Sequence, residues 1–150
     1  MAGKGYVFSN DVLNLIFNGV SIAGIAVNDT GTPNTNLYVA LHTADPSGSG
    51  HDQTTSEVSA GQYNSYARQA IARGSFAGFT QATTGVIDPV STVSFPAMVS
   101  GSGCTATHFS VGLAASGASK MLYSGSISPT IVINAGVTPQ LTTGTSISEA

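Results

Sequence analysis

The chain has 150 residues, a formal net charge of −3 and only 7% charged residues, against about 25% in an average soluble domain. Its basic residues are Lys4, Arg68, Arg73 and Lys120, too few and too scattered for nucleic-acid binding by counterion release or for a basic membrane-surface helix. A single cysteine, Cys104, allows no internal disulfide, and no apolar run approaches the ~20 residues of a membrane span.

The length predicts one domain with a core that needs no metal or disulfide. No secretory leader is expected, because Lys4 is followed by Gly5 and Tyr6 and not by an apolar run. Ser, Thr, Gly, Asn and Gln take the place of charges, so little repulsion keeps copies apart. That composition predicts a subunit whose surface faces other protein.

Residues 1–8 read as a short lead. Ser9 or Asn10 is the expected helix cap, with Asp11 in the first turn, where the dipole favours negative charge. Val12, Leu13, Leu15, Ile16 and Phe17 follow, and Gly19 is the expected stop. A helix of about two to three turns is marginal alone, so it must dock its apolar face on the sheet or on a neighbouring subunit. Residues 20–27 read as an irregular strand or packed loop, and 28–36 (NDTGTPNTN) as a loop.

Leu37, Val39 and Leu41 alternate with Tyr38, Ala40 and His42, the pattern of a strand with one apolar and one mixed face. It runs into a long loop at 44–62, containing Pro46, His51, Asp52 and Glu57. Loops of this length in compact domains are usually functional or mobile. Residues 66–73 (YARQAIAR) fit a strand as well as a helix; the surrounding β pattern favours strand. Residues 83–95 predict a strand pair or one long bent strand, with Pro89 at an edge or bend. Thr105, Thr107, Phe109, Val111 and Leu113 alternate cleanly as another strand. Residues 120–125 and 127–133 read as a hairpin, and 137–147 supplies the close. The sum is a mainly β fold, an antiparallel β-sandwich (jelly-roll or immunoglobulin-like) of about seven or eight short strands with one N-terminal helix.

Several motifs recur in a recognisable order: the N-terminal helix, Leu37-Tyr38-Val39-Ala40-Leu41-His42-Thr43-Ala44-Asp45-Pro46, Ser56-Glu57-Val58, Tyr66-Ala67-Arg68-Gln69-Ala70, Thr107-His108-Phe109, and Asn134-Ala135-Gly136. From about residue 9 to 147 the chain resembles a family of tailed-phage virion proteins known as tail fibre, minor tail or head decoration proteins. The resemblance implies a structural role and no catalytic one. It departs from many members at Gln62-Tyr63-Asn64-Ser65 and in the long 20–36 connection, both candidates for contacts particular to one virion.

Chemical constellations are weak. His51, Asp52 and Glu57 suggest a metal site, but their spacing matches no ligand signature. No GxSxG elbow or phosphate loop is present, so no catalytic residue, cofactor or metal is expected. Arg68 and Arg73 read either as ordinary surface arginines or as partners of Glu57, of Asp88 or of another protein's carboxylate. The candidate protein contacts are Phe8, Leu13, Phe17, Asp45, Glu57, Tyr63, Arg68 and Arg73.

Together these readings predict a non-enzymatic phage virion protein, made in the host cytoplasm. Within that class, a single short domain without fibre-shaft repeats favours capsid decoration over a tail fibre, adaptor or minor tail protein. The expected partners are copies of itself, as a trimer or other cyclic oligomer, and the major capsid or tail proteins. A carbohydrate-binding module is a further alternative, with Tyr63 and Phe79 as the aromatics that would stack on sugar.

Overall fold

A computed structural model describes residues 6–21, 34–47 and 52–149 of the chain. Along them run one helix, α1 (Tyr6–Asn18), and eight strands. The strands are β1 (Asn36–His42), β2 (Gln69–Ala72), β3 (Val86–Ile87), β4 (Val93–Ser94), β5 (Cys104–Gly112), β6 (Met121–Ile133), β7 (Gln140–Leu141) and β8 (Ile147–Ser148). The pairs β1–β5, β5–β6 and β3–β8 are antiparallel. This mainly β architecture with one N-terminal helix is the one expected and is consistent with a β-sandwich. The predicted elements within 22–33 lie outside the described residues.

Contacts gather the chain into two compact units, each built from segments distant in sequence. The first holds the described residues up to Asn36, then 71–92 and the chain from Leu141 on. The second holds 37–70 and 93–140.

The second unit carries a four-stranded sheet in the order β2-β1-β5-β6. Leu37, Val39 and Leu41 are buried, as their alternation predicts. Ala40 and His42 on the other face are buried too. The cause is the second half of the predicted long loop, which folds over that face. Val58 donates its amide to the Leu41 carbonyl at 3.0 Å, and Thr43 donates to Ser56 at 2.9 Å. Gln53, fully buried, donates from Nε2 to the Tyr38 carbonyl at 2.9 Å. From Asp52 onward this stretch is therefore packed structure.

The predicted hairpin at 120–133 is instead one strand, β6, of 13 residues. Gly125 makes no turn there. It lies opposite Phe109, where a Cβ would come within 2.9 Å of the ring. Close approach to an aromatic, not chain reversal, is what requires glycine at this position. Residues 127–130 are absorbed in a bulge between the pairs of Ala106 and His108.

In the first unit α1 starts at Tyr6, about one turn before the expected cap, and has no acidic residue in its first turn. The asparagines do different work. Asn10, Asn14 and Asn18 recur every fourth residue and so form one stripe. Asn10 Oδ1 accepts from the Gly85 amide at 2.5 Å and Asn14 Oδ1 from the Ala82 amide at 3.0 Å. Asn18 Nδ2 donates to the Thr80 carbonyl at 3.1 Å and to Asn14 Oδ1 at 3.1 Å. Three side chains thus bind an irregular segment at the Thr80 carbonyl and the Ala82 and Gly85 amides. Leu13 and Phe17, both fully buried, supply the apolar face, and the Phe17 ring meets Phe79 edge-on at 4.6 Å between centroids.

Helix α1 ends as predicted at Gly19, whose φ of 66° is left-handed. The exposed carbonyls of its last turn go to Arg73. Nε donates to the Ile16 carbonyl at 2.5 Å, Nη2 to Leu15 at 2.6 Å, and Nη1 to Asn34 at 3.3 Å. The helix has no basic residue of its own in that turn, so a distant arginine supplies the favourable charge at the dipole's negative end. Arg73→Met is expected to cost about 1–2 kcal/mol by urea denaturation. Arg73→Lys is expected to recover little of it, because one ammonium cannot span three carbonyls in fixed geometry. A loss equal to that of an ordinary exposed arginine would rule the cap out.

The expected strand over 83–95 is broken. Thr83 and Val86 bond each other reciprocally across a tight turn, with Thr84 and Gly85 at φ of 51° and 75°. Only the short strands β3 and β4 remain, paired with β8 and β7 respectively.

Candidate functional site

The densest set of polar side chains lies in the second unit, around Arg68. This residue is 7% exposed. Its guanidinium meets Glu57 in two parallel bonds, Nε to Oε1 at 2.7 Å and Nη2 to Oε2 at 2.8 Å. The remaining donors reach the Ala114 carbonyl at 2.9 Å, the Gly117 carbonyl at 2.9 Å and Gln53 Oε1 at 3.2 Å. The pairing with Glu57 raises the Arg68 pKa further above its ordinary value. Tyr66 donates its hydroxyl to Glu57 Oε1 at 2.9 Å and accepts from the Leu41 amide at 3.0 Å. Burial, reinforced by the Glu57 charge, pushes the Tyr66 phenol far above its usual range. Tyr66 is therefore held as a neutral donor.

A second half of the network surrounds His42. Nδ1 lies 2.8 Å from the Thr55 carbonyl, and Nε2 lies 2.8 Å from Ser110 Oγ. The carbonyl can only accept, so Nδ1 carries the proton and Nε2 accepts from Ser110. Gln53 joins the halves: Nε2 approaches Ser110 Oγ at 3.4 Å, while Oε1 accepts from Ser119 Oγ at 2.8 Å and from Arg68. Gly112 makes room for it, since a Cβ there would stand 2.2 Å from the Gln53 amide carbon.

Ser110 and His42 have the spacing of a nucleophile and its base, with a third group orienting the base. Both are fully buried beneath the 52–58 segment, so a substrate has no approach to Ser110 in this structure. What the arrangement does is mechanical. It ties together 52–57, 66–68, β5 and the 114–119 loop through charge-assisted and neutral bonds in a dry interior.

Burial lowers the His42 pKa below its ordinary value, outweighing the Thr55 bond and the Glu57 charge, which favour protonation. A histidine whose folded pKa is depressed contributes stability above its unfolded pKa of about 6.5 and loses it as pH falls towards the folded value. The free energy of unfolding should accordingly fall below about pH 6.5, with a slope from this residue no steeper than about 1.4 kcal/mol per pH unit. His42→Asn keeps a donor for Thr55 and removes the titration. Urea curves across that pH range should show a shallower slope for the variant; an unchanged slope would exclude His42 as its source.

The residues expected to make protein contacts fare differently. Leu13, Phe17 and Tyr63 are fully buried and Arg68 nearly so. As corrections to that expectation, the first three are core and Arg68 is an internal tie, with Glu57 as its partner. Tyr63 donates its hydroxyl to the Pro96 carbonyl, and its ring lies 5.6 Å from that of Tyr66 between centroids. Arg73 is the helix cap. The Phe8 side chain lies outside the described residues. Asp45 is exposed, and bonds from the Ser47 side chain and amide hold its carboxyl below the usual range. Of the suggested metal trio, His51 lies outside the described residues. Asp52 accepts from the Thr54 amide and hydroxyl, and Glu57 is occupied by Arg68 and Tyr66.

Neither aromatic expected to stack on sugar is available, since Tyr63 is fully buried and Phe79 is 2% exposed. Among the described residues the exposed aromatic is Phe76, at 41%. It sits in a turn where Ser75 and Phe76 both adopt left-handed φ, 52° and 55°. Each such non-glycine residue costs roughly 1–2 kcal/mol. The other exposed large apolar residues are Val20, Val90, Val99 and Val132.

Three members of the network escaped sequence reasoning. Gln53 and Ser110 are polar residues amid many others, and nothing local marks them as buried. Tyr66 had a signal: Tyr66 and Arg68 share one face of the predicted strand, the face from which Arg68 meets Glu57.

A comparison with curated proteins finds no match. The model of one protein family matches residues 5–147, and its description is "Podophage GP4 fiber I protein gp80". That match spans the helix, all eight strands except the last residue of β8, and both halves of the buried network. The chain therefore belongs to the podophage GP4 fiber I protein gp80 family and is a structural protein of a phage virion.

Proposed function

We propose that this chain is a tail-associated fibre subunit, a non-enzymatic building block that binds copies of itself and neighbouring tail proteins. The observation that carries the reading is the family match over residues 5–147, whose description names a fibre. It reverses the order expected from sequence, in which capsid decoration stood ahead of a tail role. One feature of the molecule supports a contact protein: its charged groups are few, and among the described residues Arg68, Arg73 and Glu57 are engaged internally.

Imaging of virions with this subunit labelled tests the reading. Label on the tail or its fibres is expected; label spread across the capsid surface would restore the decoration reading and sink this one.

A further inference from the structure

We infer that the free edge of β6 pairs with the same edge of a second copy of this chain, antiparallel across a twofold axis. The inference rests on the fibre-subunit reading and names the surface through which its self-association begins.

In the four-stranded sheet β6 is the last strand, with β5 on its inner side. Its approach is covered: Gln53 donates its amide to the Ser119 carbonyl at 3.1 Å, and the backbones of Asp52 and Lys120 form an isolated antiparallel bridge. Among the described residues no strand flanks the outer side of the run from Ser124 to Val132. A sheet edge presents a row of unpaired amides and carbonyls, and natural proteins guard it with charge, proline or a bulge. Here Pro129 and its bulge are the guard, and they divide the edge without closing it. From Met121 through Ser148 there is no charged residue at all. Val132, 59% exposed, stands near the far end of the strand.

The choice of partner follows from symmetry and length. A twofold pairing places residue i opposite j and j opposite i. A charged strand would then bring like charges together, which destabilises a cross-strand pair. An uncharged strand meets its own copy with no such penalty in any register. The opposite edge of the sheet, β2, has only 4 residues and is bracketed by Arg68 and Arg73. Pairing β6 with a neighbour's β2 would leave most of its 13 residues uncovered. Only another β6 matches its length, and the main-chain ladder itself supplies the attraction.

Two measurements on the full chain test this. Sedimentation equilibrium should give a dimer, twice the 15.0 kDa protomer, and Thr130→Lys combined with Val132→Lys should return it to monomer. In a Cys104→Ser background, one of Ser124→Cys, Ser126→Cys and Thr130→Cys, the one nearest the twofold axis and so opposite its own copy, should form a covalent dimer on mild oxidation, whereas Ser116→Cys on an exposed loop should not. A monomeric wild-type chain, a dimer that survives both lysines, a larger ring, or crosslinking along the strand no greater than at Ser116→Cys would each overturn the inference. If circular dichroism shows the lysine variant misfolded, the wild-type mass and the crosslinks decide alone. None of these outcomes bears on where the subunit sits in the virion. A monomer labelled on the tail would keep the fibre reading and lose the β6 pairing.

Discussion

Arg68→Met should cost about 3–5 kcal/mol of folding stability, the range for removing one partner from a buried ion pair. The side chains of Arg68 and Glu57 are 2% and 15% exposed, so solvent cannot replace what the guanidinium supplies. Without it Glu57 keeps one donor, Tyr66, and the Ala114 and Gly117 carbonyls and Gln53 Oε1 lose one each. An unsatisfied buried acceptor costs about 1–3 kcal/mol, so the loss is spread over several groups. The double variant Arg68→Met with Glu57→Gln should therefore lose less than the sum of the two singles, by about 0.5–3 kcal/mol. Urea denaturation of the four proteins checks both statements. A single-variant loss below about 1 kcal/mol would show Arg68 to be an ordinary surface arginine with an incidental contact.

The same two arginines show what can and cannot be read along the chain. Period-two alternation located β1 and β5, because a half-buried strand writes its two faces into the sequence. The charge poverty pointed to a protein that meets protein, and the family match agrees with the structural role so inferred. Arg68 and Arg73 flank β2 with nothing local to distinguish them. Yet one ties loops through Glu57 and the other caps α1. Those roles depend on pairings of segments 11 to 58 residues apart, which no local pattern encodes. The Glu57 partnership was legible as one option among several. The helix cap was not, because a C-terminal cation is ordinarily sought within the helix itself. Gly125 misled for a related reason. Glycine serves turns and close approaches alike, and only the position of Phe109 across the ladder tells which. The asparagine stripe of α1 was visible as a spacing of four, but polar residues on a short amphipathic helix are normally taken for its wet face. Here they bond a segment that makes no ladder of its own.

The sequence leaves α1 to dock its apolar face within the chain or on a neighbouring subunit, and Phe17→Ala is the sharpest test between the two. Phe17 is fully buried, one turn from the equally buried Leu13, and its ring meets Phe79 at an interplanar angle of 67°. Truncating a buried phenylalanine costs about 3–5 kcal/mol, through lost transfer energy and the cavity left behind. Edge-to-face ring pairs add about 0.5–1.5 kcal/mol beyond area, so the upper half of that range is expected. Phe17→Leu should recover much of the loss by refilling the space. Phe76→Ala provides the contrast, since its ring is 41% exposed and surface replacements usually fall within about 0.5 kcal/mol. Thermal and urea unfolding of the isolated chain measure all three. If Phe17 were a docking residue, the order would invert: Phe17→Ala would leave the isolated chain unchanged and weaken only assembly. Equal stability of Phe17→Ala and Phe76→Ala would thus refute the placement of α1 against Phe79.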